Sequence, residues 1–241
     1  MIQVEGIFAG GATKPYIEET YDSYGNLIDV KMHGYTKIRG FAFYNCSDLL
    51  LINLSDEIVS IGENAFASCF NLSLTSLPDG ITNIGNKAFS DCTKLSLTSL
   101  PDGITNIGNK VFSGCTKLSL TSLPSGITSI GNEAFSDCTN LSLTSLPSGI
   151  TSIGDAAFYY CTSLALTSIP AGATDINYSA FGYCTGLTEL TFMGTPTSIA
   201  PDAFDGCKNL TTINVPWAEG AVANAPWGAT NATIHYNYTG G

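Results

Sequence analysis

The eight cysteines of this chain fall at a single spacing. Cys46, Cys69, Cys92, Cys115, Cys138, Cys161, Cys184 and Cys207 each follow the last by 23 residues, and none lies outside the series. A phenylalanine stands three residues before every one, from Phe43 to Phe204. An isoleucine stands eight before, from Ile38 to Ile199, and a leucine three after, from Leu49 to Leu210. The pattern I-x4-F-x2-C-x2-L therefore recurs in eight copies. Exact recurrence at this period predicts a solenoid, because one turn cannot bury its apolar side alone. Stacked turns set Ile on Ile, Phe on Phe and Cys on Cys, so that the core becomes a set of ladders. Strand-paired rungs lie roughly 4.8 Å apart, and both ends of the stack need caps.

Within one turn, Leu95-Ser96-Leu97-Thr98-Ser99-Leu100-Pro101 reads as a short strand. Pro101 ends it by removing a ladder donor. Asp102-Gly103 is a turn, and Ile104 to Ile107 is a second extended piece. Gly108-Asn109 then opens a short helical turn, with Asn109 as N-cap and with Val111 and Phe112 carried into the core. Pro201 suits the first position of the same turn in the last repeat. The hydrophobic share of 44% supports a packed core.

The order F-x2-C-x2-L-x2-(I/L)-x-(I/V/F)-P, followed by I-x2-I-G-x2-A-F, resembles the BspA-like subclass of leucine-rich repeats over residues 35 to 216. That resemblance implies a leucine-rich-repeat solenoid, mostly β with short helical turns, curved, with the leucine-rich strands on its concave side. It also implies adhesion or protein binding at a bacterial surface, with no catalytic residues to carry over. Residues 1–34 are expected to form an N-terminal cap: Tyr16–Asp22 and Leu27–Met32 read as a hairpin around Ser23–Asn26. Residues 35–216 are the eight repeats. Residues 217–241 are the C-terminal cap and are similar to closing segments of such proteins in gut bacteria and their prophages. Trp217 and Trp227, the two tryptophans of the chain, would cover the last open rung.

The repeats do not all follow the family pattern. The outer ones keep aliphatic or aromatic residues at the sixth and eighth places after cysteine: Ile52 and Leu54, Leu190 and Phe192, Ile213 and Val215. In the five central repeats the sixth place is Thr75, Thr98, Thr121, Thr144 and Thr167, and a leucine comes one residue earlier, at Leu74, Leu97, Leu120, Leu143 and Leu166. A shift of one residue in a strand sends a side chain to the opposite face. Either a bulge returns each leucine to the core and leaves threonine outside, or five leucines form an exposed stripe over buried threonines. An unpaired buried hydroxyl costs roughly 1–3 kcal/mol, and an exposed leucine forgoes roughly 1.5–3 kcal/mol, so both terms favour the bulge. The candidate ligand-binding concave face is Leu74, Ser76, Leu97, Ser99, Leu120, Ser122, Leu143, Ser145, Leu166 and Ser168.

Catalytic and metal chemistry find little footing. Single-file cysteines lack the C-x2-C pairs of zinc sites. Neighbouring rungs bring them within disulfide reach, but their place between Phe and Leu points to reduced, buried hydrophobes. The two histidines, His33 and His235, stand near opposite ends, so no Cys-His or Ser-His pair is expected. No enzyme activity, cofactor or metal is expected. A net charge of -11 argues against nucleic acid and anionic membranes as partners. No apolar run reaches the length of a membrane span.

Met1–Gly6 lacks the marks of a secretory signal. The expectation is a monomeric bacterial surface or secreted protein that binds a protein or glycan. A prophage tail or virion component and a rigid spacer are the alternatives. The segment Leu-Thr-Ser-Leu-Pro is identical in four successive rungs, starting at Leu74, Leu97, Leu120 and Leu143. Such uniformity suits a spacer, or a ligand that itself repeats.

Overall fold

The computed structural model describes residues 4–5 and 15–240. Residues 1–3, 6–14 and 241, which include part of the expected N-terminal cap, lie outside the described residues. The 23-residue period becomes a stack of rungs with two files of short strands. One file follows the isoleucines: Lys37–Ile38, Ser60–Ile61, Asn83–Ile84, Asn106–Ile107, Ser129–Ile130, Ser152–Ile153, Asp175–Ile176 and Ser198–Ile199. Neighbours pair in parallel with Ile over Ile, as in Ile130 on Ile107 and Ile153 on Ile130. Val4–Glu5 pairs antiparallel with Lys37–Ile38 at the start of this file.

The second file lies on the leucine side and is broken in the middle. Leu51–Asn53 ends one sheet, whereas Ser168–Ile169, Glu189–Phe192, Thr212–Asn214 and Thr233–His235 form another. Between these sheets the central rungs hold no strand on this side.

Both ends are closed. Tyr16–Tyr21 and Leu27–His33 form an antiparallel hairpin. Its second strand runs parallel to Leu51–Asn53, with Val30 opposite Ile52, and buries Val30 and Met32. At the other end Thr233–His235 adds a ninth layer to the leucine side. Trp217 and Trp227 are buried there, packed edge to face at 6.3 Å. Phe192 meets Trp217 at 5.3 Å.

Between the caps the core is a stack of identical contacts. Eight fully buried phenylalanine rings lie 5.1–5.7 Å apart with interplanar angles of 2–12°. Each buried ring contributes roughly 1.5–3 kcal/mol of burial. Seven thiols from Cys69 to Cys207 each donate to the carbonyl of the phenylalanine 26 residues earlier, such as Cys138 Sγ to Phe112 O at 3.0 Å. All eight cysteines are free. Burial pushes the Cys69 and Cys207 thiols up to about 12. It raises those of Cys92, Cys115, Cys138, Cys161 and Cys184 well above the ordinary value.

The expected short helical turn is not helical. The segment after each isoleucine strand is a run of tight turns, and no described residue is in a helix. In the fourth repeat Lys110 (φ 56°) and Gly114 (φ 75°) are left-handed, and the same places hold Glu133 and Asp137 in the fifth. Alternate amides reach the next rung: Lys110 N–H to Asn132 O, Phe112 N–H to Ala134 O and Gly114 N–H to Ser136 O, at 2.8–2.9 Å. The amides between them close turns inside the rung, such as Cys115 N–H to Phe112 O. A helix would spend these groups internally and leave the stack unbonded. A non-glycine left-handed residue costs roughly 1–2 kcal/mol, and the inter-rung bonds offset it. Asn109 is correspondingly not an N-cap. Its Oδ1 accepts the N–H of Asn132 at 2.9 Å, and Asn86 does the same for Asn109. Asn132 and Asp155 continue this file.

One seam departs from the rest. Thr128 N–H bonds to Thr105 O and Gly131 N–H to Ile107 O, but the corresponding amides of Thr105 and Gly108 make no such bond. The isoleucine strands are unpaired between Asn83–Ile84 and Asn106–Ile107. Val111 stands at this seam, where the other seven repeats carry alanine. Val111 is fully buried, so its two extra methyl groups must be packed between rungs that elsewhere hold alanine. The rings of Phe89 and Phe112 lie 5.7 Å apart, beside 5.6 Å for Phe112 and Phe135.

Candidate binding face on the leucine side

The shifted leucines fix the character of this face. Leu97, Leu120 and Leu143 are fully buried and Leu166 is 2% exposed. Leu100, Leu123 and Leu146, three residues after the first three of these, are buried as well. Between each pair of inward leucines two residues stay outside: Thr98 and Ser99, Thr121 and Ser122, Thr144 and Ser145. Two successive outward residues break strand alternation, so the chain bends at Thr98, Thr121 and Thr144. Leucine turns inward and threonine outward, as a bulge would place them, although these rungs hold no strand, and the exposed-leucine stripe does not form.

The candidate face is corrected accordingly. Leu97, Leu120, Leu143 and Leu166 pack in the core and cannot meet a ligand, and Leu74 is only partly exposed. Ser76, Ser99, Ser122 and Ser145 are exposed, and Ser168 is half-buried in a strand. Threonines 75, 98, 121 and 144 join the serines on the surface. The face is therefore polar, with two hydroxyls per rung. From Leu74 to Leu143 a single main-chain bond crosses each gap on this side, such as Ser96 N–H to Leu74 O (3.1 Å) and Ser119 N–H to Leu97 O (3.2 Å), and two cross the next, from Ala165 to Leu143 O and from Thr167 to Thr144 O. The N–H groups of Thr98, Ser99, Thr121 and Ser122 have no main-chain partner. Sequence reasoning placed the bulge but missed these free amides, because lost pairing depends on how successive bulges stack.

The two ends of the bulged region open grooves. Leu51 and Leu74 occupy the same place in successive repeats, yet Leu51 points outward, 54% exposed. Leu74 therefore has no inward leucine beneath it. The gap is a groove of about 710 Å³ lined by Leu51, Asn53, Asp56, Thr75, Ser76 and Asp79 among others. At the far end Leu166 faces inward and Glu189, in the same place, faces outward. A groove of about 330 Å³ lies there.

Tyrosines break the uniformity on the turn side. Tyr160 stacks on Tyr183 at 4.7 Å and 4°, with Tyr159 edge-on to both. Tyr183 lies over Gly206, where a Cβ would come within 2.6 Å of its ring. These rings cover one another rather than an open pocket. Among the described residues no group of His, Cys, Asp and Glu is arranged to hold a metal ion.

The sequence matches the family described as BspA type leucine rich repeat region, in six copies, over residues 18–142 and 105–220. The chain belongs to the BspA-type leucine-rich repeat proteins. The fold of this BspA-type protein is similar to that of a leucine rich cell surface protein from Faecalibacterium prausnitzii A2-165. The two share 22% identity and a TM-score of 0.61, over 86% of this chain and 72% of that one. A leucine-rich repeat protein from Bacteroides ovatus ATCC 8483 is similar at 24% identity and a TM-score of 0.55, over 86% of this chain and 65% of that one. No curated protein matches the sequence. Among the described residues no helix is long and apolar enough to cross a membrane.

Proposed function

We propose that this BspA-type protein is a non-catalytic binding protein of a bacterial surface, and that its leucine side holds a repetitive, neutral polysaccharide. The observation that carries this reading is the repeated Thr-Ser pair. Thr75-Ser76, Thr98-Ser99, Thr121-Ser122 and Thr144-Ser145 present hydroxyls at the same place on four successive rungs, with no charged side chain inside any Leu-Thr-Ser-Leu segment. Hydroxyls and free amides offer donors and acceptors to sugar hydroxyls. Identical weak contacts in a row sum to useful avidity only when the ligand repeats too. A folded protein ligand would call for different side chains on different rungs.

The surface location is supported by the fold shared with a cell surface protein. The non-catalytic reading is supported by the distance between the two histidines in the fold: His33 ends the cap hairpin and His235 ends the last strand.

The test is retention of the labelled chain on a panel of immobilised neutral polysaccharides and extracellular-matrix proteins, beside the double variant Ser99→Arg/Ser122→Arg. The reading expects retention on at least one polysaccharide, lost in the variant, with an unchanged melting temperature. Retention on matrix protein alone, or equal retention of the variant, contradicts it.

A further inference from the structure

The geometry points to a second binding site, at the N-terminal end of the leucine side. There the open edge of strand Leu51–Asn53 accepts an extended basic peptide as an added strand. This inference does not rest on the polysaccharide reading.

Three observations meet at this place. The first is the edge itself. Leu51–Asn53 pairs with Leu27–His33 on one side and has no strand on the other. A strand edge carries main-chain donors and acceptors that favour another extended chain. The second is room. The following rung makes one main-chain bond beside the edge, Ser73 N–H to Leu50 O at 2.9 Å, and none along Leu51–Asn53. The next amide of that rung to donate a main-chain bond is that of Ile81, to Pro78 O within its own rung. The groove of about 710 Å³ fills the space between.

The third is charge. Asp29, Asp56 and Asp79 line the groove against a single cation, Lys31. Lys31 is already engaged by Glu18, 3.6 Å away on the hairpin. The groove is thus acidic at its rim, and Leu51 offers an apolar contact beside it. An occupant that fits is an extended segment with lysine or arginine toward the carboxylates and β-branched residues between them. Strand addition supplies the affinity through the main chain, and the carboxylates select the side chains.

At the far end the strand Ser168–Ile169 is followed at once by its paired neighbour Glu189–Phe192. The smaller groove lies between those two paired strands rather than along a free edge, so it lacks the feature that makes the first one selective for an extended chain.

The experiment selects a display library of random ten-residue peptides on the whole chain, then measures binding of the enriched peptides by fluorescence anisotropy. Enrichment of lysine and arginine alternating with β-branched residues is expected. Replacing Asp56→Lys and Asp79→Lys together should weaken those peptides by about tenfold, and added salt should do the same. Hydrogen exchange should slow at Leu51–Asn53 when peptide is bound. Enriched peptides without basic residues, binding unchanged by Asp56→Lys/Asp79→Lys, or no enrichment at all would overturn the proposal. Polysaccharide retention should survive the double Asp variant, and peptide binding should survive Ser99→Arg/Ser122→Arg, so the two sites fail separately.

Discussion

Leu51 and Leu74 stand in the same place of successive repeats, but Leu51 is 54% exposed while Leu74 turns toward the core. The difference follows from their neighbours. Ile52 fills the interior of its rung, whereas Thr75 leaves that space to Leu74. Leu51→Ser should therefore change the unfolding free energy by no more than about 0.5 kcal/mol, as for ordinary surface changes. A chemical denaturation curve checks it, and a loss of several times that would place Leu51 in the core.

The thiol ladder makes stability depend on alkaline pH. Cys69 and Cys207 are raised by burial from an ordinary value of 9.0 to about 12. Folded thiols keep their protons where unfolded ones lose them. Their contribution is thus fully present below about pH 9 and lost as pH climbs toward 12. Each buried thiol should cost about 1.4 kcal/mol per pH unit in that window. Urea titrations at successive pH values should show a steep decline, shallower by one thiol in Cys138→Ala. A flat profile across this range would contradict the buried ladder.

The seam at Val111 should be visible in amide exchange. Thr105 and Gly108 lack the inter-rung bonds that Thr128 and Gly131 make, so their amides should exchange faster. Val111→Ala restores the residue found in the neighbouring repeats and should slow Thr105 and Gly108 toward the rate of their counterparts. Equal rates in the parent protein would remove the seam from the account.

Exchange also reports on the leucine side. The amides of Thr98, Ser99, Thr121 and Ser122 should be among the fastest of the repeat array. Those of Thr191 and Met193, bonded to Thr167 O and Ile169 O at 3.0 and 2.9 Å, should be protected. Uniform protection along this side would mean that the strand file is continuous.

Much of this architecture is legible in the sequence, because a strict period forces equivalent residues into register. Phe, Cys and Ile need only their spacing to be placed in the core, and the Thr/Leu shift predicts the bulge by burial costs alone. The turn segments are not legible. Local propensity at Gly108-Asn109 favours a helix start, but bonds to the next rung hold Lys110 and Glu133 left-handed. A single repeat read alone contains nothing of its neighbour. The same reason hides the asparagine file, the seam at Val111 and the groove beside Leu51, all of which arise between rungs. The candidate face was half legible: its serines stay on the surface, whereas its leucines belong to the core.

The hydroxyl face exists only because the central leucines turn inward. The measurement that tests it most directly is the thermal melt of Leu120→Ser beside the parent protein. Leu120 is fully buried, so the change should cost about 2–5 kcal/mol and lower the melting temperature by roughly 4–20 °C. A melt that coincides with the parent's would put the leucines in solvent and the threonines inside. The hydroxyl face on which the proposed function rests would then not exist.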